Sequence, residues 1–320
     1  MSATINPNHP LPVANAAVQP FLMIGALYAA LMMALWVPWF LGFIQVPSAW
    51  PAQAWFTHEL VLGFAPAIVA GVLLTNIPSE RGHEPLSGVA LATLVVLWLA
   101  GRIAMGVSAH LDVMTTMVLS VAFLLVIPVL IAREFLGSRN WGDLVVVALL
   151  FGLGAADALF HYEMWEFGRT KLAANVALAL TLLILTILAG RAASSAKRQS
   201  TVFYIACGFV ALGFVLTGLG ILWDDYDFAT AGMHAWTVGS IGTLAVAVMM
   251  CASSAGRSPT SVGTIILYGL VLVSGLAWTI AGLYPQWTLP LLPISGLTWI
   301  AAFVGFAVRY GRIFCSTRSH

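Results

Sequence analysis

Trp55-Phe56-Thr57-His58-Glu59-Leu60-Val61-Leu62-Gly63-Phe64 opens the second long apolar run of the chain, with a histidine and a glutamate at its head. About 20 apolar residues are enough to cross a bilayer as a helix, and this run supplies them. The rest of the chain reads the same way. Of 320 residues, 61% are hydrophobic and 8% charged, and the mean hydropathy is +0.97. A soluble domain carries about 25% charged residues. A water-soluble core cannot hide so much apolar surface, so the chain is read as a polytopic membrane protein. In lipid every backbone N–H and C=O must find an internal partner, which leaves helices or a closed barrel. The runs are continuously apolar without period-two alternation, and they are helices.

Working outward from that run, ten spans are expected, at about 21–43, 58–78, 88–109, 112–132, 143–162, 171–190, 201–222, 232–252, 262–283 and 290–310. Pro, Gly, Asn or charge marks the breaks, as in Gly137-Ser138-Arg139-Asn140. The tightest joint is Ala109-His110-Leu111-Asp112, between the third and fourth spans. The expected organisation is a flexible arm over 1–20, one all-α transmembrane bundle over 21–310, and a cytoplasmic tail over 311–320. Threading ten spans collects Arg81, Arg133, Arg139, Arg191, Lys197, Arg198, Arg257, Arg309, Arg312 and Arg318 on one face, ten of the 13 basic residues. Basic residues stay on the cytoplasmic side, so both termini are expected there. A net charge of +1 without a basic patch argues against nucleic acid as a partner. The three cysteines, Cys207, Cys251 and Cys315, show no paired spacing for a thiolate cluster or disulfide framework.

The same threading brings His58, His110, His161 and His234 to similar depth near the outer face, with Glu59, Asp112, Asp157, Glu163 and Glu166. Neutral imidazole ligates haem iron and copper. His58 and His234 share a His-x4-Gly arrangement ending at Gly63 and Gly239. Those glycines either let helices pack closely or leave room for a macrocycle. The plainer reading of both histidines is an interfacial residue at a helix start. His161 follows Asp157 by one turn, so a carboxylate can orient the ring or relay protons; a solvated helix end is the alternative. Glu59 is either a first-turn acid favoured by the helix dipole or a proton carrier. Arg102, inside the third span, must snorkel to the interface or pair with an anion such as a propionate, Asp112 or Asp157. The twelve tryptophans are read as interfacial belts.

On these residues the chain resembles the NnrS family of bacterial membrane proteins. The matching stretches are His58-Glu59 with Gly63-Phe64, Leu97-Trp98-Leu99-Ala100-Gly101-Arg102, Phe160-His161, and His234-Ala235-Trp236-Thr237-Val238-Gly239-Ser240-Ile241-Gly242-Thr243. Together with shorter ones they cover most of the chain in the family's order. The resemblance implies a haem- and copper-containing protein of the nitric oxide response, with about twelve spans. It implies haem b and copper as cofactors and His58, His161 and His234 as metal ligands. This chain departs in two ways. Phe56 stands where the family has a further histidine, and the stretch after Arg191 is abbreviated.

The leading functional expectation is nitric oxide binding at a histidine-ligated metal, with Arg102, Gly63 and Gly239 lining the cofactor. Reduction to nitrous oxide would need protons, for which Glu59, Asp157 and Glu163 are the candidates, and an electron donor that the sequence does not reveal. The other classes are a transporter of metal, haem or a small anion built on duplicated halves, and a membrane subunit docking a periplasmic electron-transfer partner.

Overall fold

A computed structural model describes residues 18–80, 82–134, 141–195, 199–253 and 261–316. The described residues are helical throughout, without strands, and contain ten helices long and apolar enough to cross a membrane. These are Gln19–Phe40, Ala52–Ser79, Gly88–Gly106, Val113–Glu134, Leu144–Phe167, Ala173–Arg191, Thr201–Trp223, Tyr226–Ser253, Val262–Leu283 and Pro285–Gly311, called the first to tenth spans below. The ten-span reading holds, and an even number returns both ends of the bundle to one side. Arg133, Arg191 and Arg309 lie at or near span ends on that side. Arg81, Arg139, Lys197, Arg198, Arg257 and Arg318 fall outside the described residues, as does the expected arm up to residue 17. The first helix begins at Val18 and the last runs on to Ser316, past both expected boundaries of the bundle.

The spans are not equivalent. The apolar windows of the second and eighth are 89% and 83% buried, against 28–50% for the other eight. Two central spans are therefore ringed by lipid-facing ones. Both central spans are also broken. The second runs as an α-helix over Ala52–His58, a π-helix over Glu59–Phe64 and an α-helix over Ala65–Glu80. The eighth repeats the pattern with Tyr226–His234, a π-helix over Ala235–Ile241, and Gly242–Ser253.

The sequence supplies a cause in each. Pro66 has no N–H to donate to the carbonyl of Leu62, and its ring crowds that carbonyl, so the preceding turn widens. In the eighth span Gly239 and Gly242 weaken the α ladder. There Thr237 and Thr243 also donate back to the carbonyls of Met233 and Gly239, at 2.7 Å each, which bends helices.

Both central spans start earlier than hydropathy alone indicates. Pro51 leads into the second at Ala52, and Asp225 caps the eighth by accepting from the Asp227 amide at 2.9 Å. His58 and His234 consequently end the first α segment of their spans instead of opening a helix, and neither caps backbone with its side chain. The aromatic residues differ from expectation too. Trp36, Trp39, Trp55, Trp98, Trp278 and Trp299 are buried, not arranged in belts. Trp98 and Trp299 donate to the carbonyls of Gly63 and Ala29 at 3.0 and 2.9 Å.

Candidate metal centre

The first π-turn begins directly after His58, and around it five spans converge. Adjacent residues on an α-helix do not face each other, yet His58 Nδ1 lies 2.8 Å from Glu59 Oε1 across the junction. His58 Nε2 lies 2.8 Å from Oδ1 of Asp157 in the fifth span. Asp157 Oδ2 accepts from Ser120 of the fourth span at 2.8 Å. Arg102 of the third span donates from Nη1 to Glu59 Oε1 at 2.8 Å and from Nη2 to Ser120 at 3.2 Å. Tyr28 of the first span donates its phenol to Glu59 Oε2. His58, Glu59 and Asp157 have no exposed surface at all.

Charges buried at membrane depth must be paired, and here they are. Arg102 faces Glu59, and the His58 ring lies between two carboxylates. With both nitrogens donating, the ring is an imidazolium and the four groups sum to zero charge. A metal ion on Nε2 would take the place of that proton, while Nδ1–H held by Glu59 fixes the tautomer and orients the ring.

His161 completes the arrangement. It lies one turn beyond Asp157, with Nε2 3.6 Å from Asp157 Oδ1, and this buried nitrogen has no hydrogen-bond partner. One donor atom from each of His58, Asp157 and His161 lies within 4.8 Å of the others. Two imidazoles and one carboxylate suit divalent copper, iron or zinc better than a soft monovalent ion. An unpartnered buried nitrogen facing two further donors is the observation that fits a metal ion.

The other expected site residues fall elsewhere. His234 lies outside this cluster. Its Nδ1 must donate to the Trp278 carbonyl at 2.9 Å, because a carbonyl only accepts, which leaves the ring's lone pair on Nε2. Between His234 and the second span stands a wall of aromatic rings. Trp278 packs on His234 at 4.8 Å and on Trp36 at 5.0 Å, and Trp36 packs on Phe56 at 4.5 Å. Phe56 is therefore taken up in aromatic packing against Trp36 and Trp278.

Gly63 and Gly239 serve close packing. A methyl group on Gly63 would strike Arg102 Nη1, and one on Gly239 would strike the Phe209 ring. Neither opens space for a macrocycle. Glu163 is engaged with backbone, accepting from the amides of Lys171, Leu172 and Ala173 at 2.6–3.1 Å, and so caps the sixth span. His110 and Asp112 stay in the exposed turn, where Asp112 accepts from the Thr115 amide at 2.8 Å. That bond and the Thr115 hydroxyl hold its carboxyl below the usual carboxylate range. Sequence reasoning missed Tyr28, Trp50 and Ser120. A hydroxyl midway along an otherwise apolar span was the available signal for Tyr28 and Ser120.

Fold and site together define a polytopic helical membrane protein with a buried centre of two histidines and one aspartate, bordered by an arginine–glutamate ion pair. The family model for NnrS protein matches residues 12–201 and 193–318. The chain belongs to the NnrS family, which points to a membrane protein of the nitric oxide response. No curated protein and no solved structure matches it.

Proposed function

We propose that the chain binds a transition-metal ion through His58, Asp157 and His161 and uses it to bind nitric oxide in the bacterial inner membrane. The reading is carried by the unpartnered His161 Nε2 facing two further donors in a member of this family. The ion supplies a Lewis-acidic, redox-active centre for a small neutral ligand. The chain's residues do the rest. Glu59 orients His58 by accepting Nδ1–H, Ser120 holds Asp157, and Arg102 offsets the carboxylate charge. Asp157 and Glu59 are also the groups placed to hold protons, with Tyr28 as the outer end of that chain. His234 is the ligand we assign to the haem or copper that the family resemblance implies. Its free Nε2 supports this; the filled clefts at Gly63 and Gly239 do not widen the case. Nitric oxide partitions into lipid, so a buried centre meets it where it concentrates.

Metal analysis of the detergent-purified chain, with a dithionite-reduced visible spectrum before and after nitric oxide, tests the proposal. One ion per chain lost in His161→Ala is expected, with a spectrum that shifts on nitric oxide addition. In His234→Ala the ion at the His58–Asp157–His161 centre should stay bound while the group held by His234 is lost. Full metal content in His161→Ala would refute the assignment. Transport of a metal ion is the second reading, favoured because the two most buried spans are both interrupted, as in many transporters. Uptake of the same ion by proteoliposomes separates it from a fixed centre.

A further inference from the structure

The polar neighbours of the two clustered histidines come from the spans, but an aromatic neighbour comes from outside them. Trp50 belongs to the connection between the first and second spans. Its indole stands edge-on to His58 at 5.1 Å and to His161 at 4.7 Å, with its plane turned 80° and 60° from theirs. Phe160 stacks on the same indole at 5.2 Å. Trp50 is half-buried, so it touches the centre and the surface at once.

The indole packs on these rings, while the connection that carries it is tied down by a short set of hydrogen bonds. Ser108 in the turn after the third span accepts from the Ala49 amide at 2.9 Å and pairs with the Ser48 hydroxyl at 3.2 Å. The Ala109 amide donates to the Pro47 carbonyl at 3.1 Å. Beyond it, Trp36 Nε1 donates to Ala52 O at 2.9 Å. The bonds of Ser108 and Ala109 join a connection to a turn and lie outside the ladders of the spans, where local opening costs least.

We infer that Trp50 is the gate and specificity determinant of the centre: it admits small neutral molecules and bars hydrated anions and chelators. This rests on the metal reading above. An anion passing the indole and Phe160 must shed water against aromatic carbon, which costs free energy with no hydrogen bond in return. A neutral diatomic loses little. The same cover slows escape of the ion.

The test uses the full chain in detergent, loaded with Cu(II), with copper counted first. The rate of copper removal by EDTA and the rate of azide binding, followed by its charge-transfer absorption, are then measured for the wild type, Trp50→Phe, Trp50→Ala and Ser108→Ala. In Trp50→Ala, stripping is expected to be about tenfold faster or more and azide binding faster by a similar factor, as removal of a cover raises exchange rates. Trp50→Phe should stay near wild type, and Ser108→Ala should move the same way by less. If Trp50→Ala does not fold, Trp50→Leu and Ser108→Ala carry the comparison. Equal stripping and azide-binding rates in copper-loaded wild type and these variants would overturn the gate while leaving the centre intact. A wild type that holds no copper would overturn the metal reading, and the gate with it.

Discussion

The second and eighth spans are both buried, and both widen into a π-turn directly after a histidine, yet their surroundings differ in kind. His58 is met by Glu59, Asp157 and Ser120, and behind Glu59 stand Arg102 and Tyr28. His234 is met by one backbone carbonyl and a tryptophan face. The same backbone irregularity thus serves a charged network in one span and aromatic packing in the other. A π-turn only re-aims side chains; the residues on the neighbouring spans decide what chemistry results. If this contrast is real, equivalent substitutions in the two spans should have unequal consequences.

The largest difference should come from Arg102→Met. Removing one partner of a buried ion pair leaves the network one positive charge short, with Glu59 held only by His58 and Tyr28, and costs about 3–5 kcal/mol. His234→Ala removes one hydrogen bond to a carbonyl, a loss of about 1–2 kcal/mol. Thermal unfolding in detergent compares them. Glu59→Gln combined with Arg102→Met should recover part of the loss, because the pair acts as a unit. Equal destabilisation by the two single substitutions would erase the distinction between the spans.

Metal affinity should separate them next. Glu59 touches the ion's ligand and not the ion, and losing such an outer partner costs roughly 10–100-fold in affinity. Competitive titration with a chelator should show that loss in Glu59→Gln and none in His234→Ala at this centre. The paired glycines give a finer test. Alanine at Gly63 strikes Arg102, and alanine at Gly239 strikes Phe209. Both substitutions should destabilise by about 1–3 kcal/mol, as overpacking does, but only Gly63→Ala should weaken metal binding.

The sequence carries much of this. Ten spans, the shared depth of His58, Asp157 and His161, and the need of Arg102 either to snorkel or to find an anion are legible from hydropathy and depth. The choice of His161 over His234 as the neighbour of His58 is not. The anion that Arg102 finds is Glu59, not the more distant candidates, because only the π-turn swings Glu59 toward the third span, and no one-dimensional pattern reports a π-turn. The helix starts were misplaced for a related reason. Gln53, Thr57 and His58 lower local hydropathy, so the apolar window begins late while Pro51 already starts the helix. His234 matches His58 in motif and depth, and its separation by Trp36, Trp278 and Phe56 is set by the first and ninth spans, hundreds of residues apart in sequence from one another. Such lateral order is not written in any single span.

Glu163 offers the smallest effect and the sharpest check on which acids belong to the network. As a sequence feature it looks like Glu59 and Asp157: an acid at the same depth, two residues from His161. In the fold its carboxylate accepts three amides at the start of the sixth span. Capping of this kind contributes about 1 kcal/mol, and the amide of glutamine can accept only part of it. Glu163→Gln should therefore lower thermal stability slightly and leave metal content, chelator competition and the nitric oxide spectrum unchanged. A variant of normal stability that loses the nitric oxide response would move Glu163 from the scaffold into the proton path, and the network would then reach from the first span to the end of the fifth.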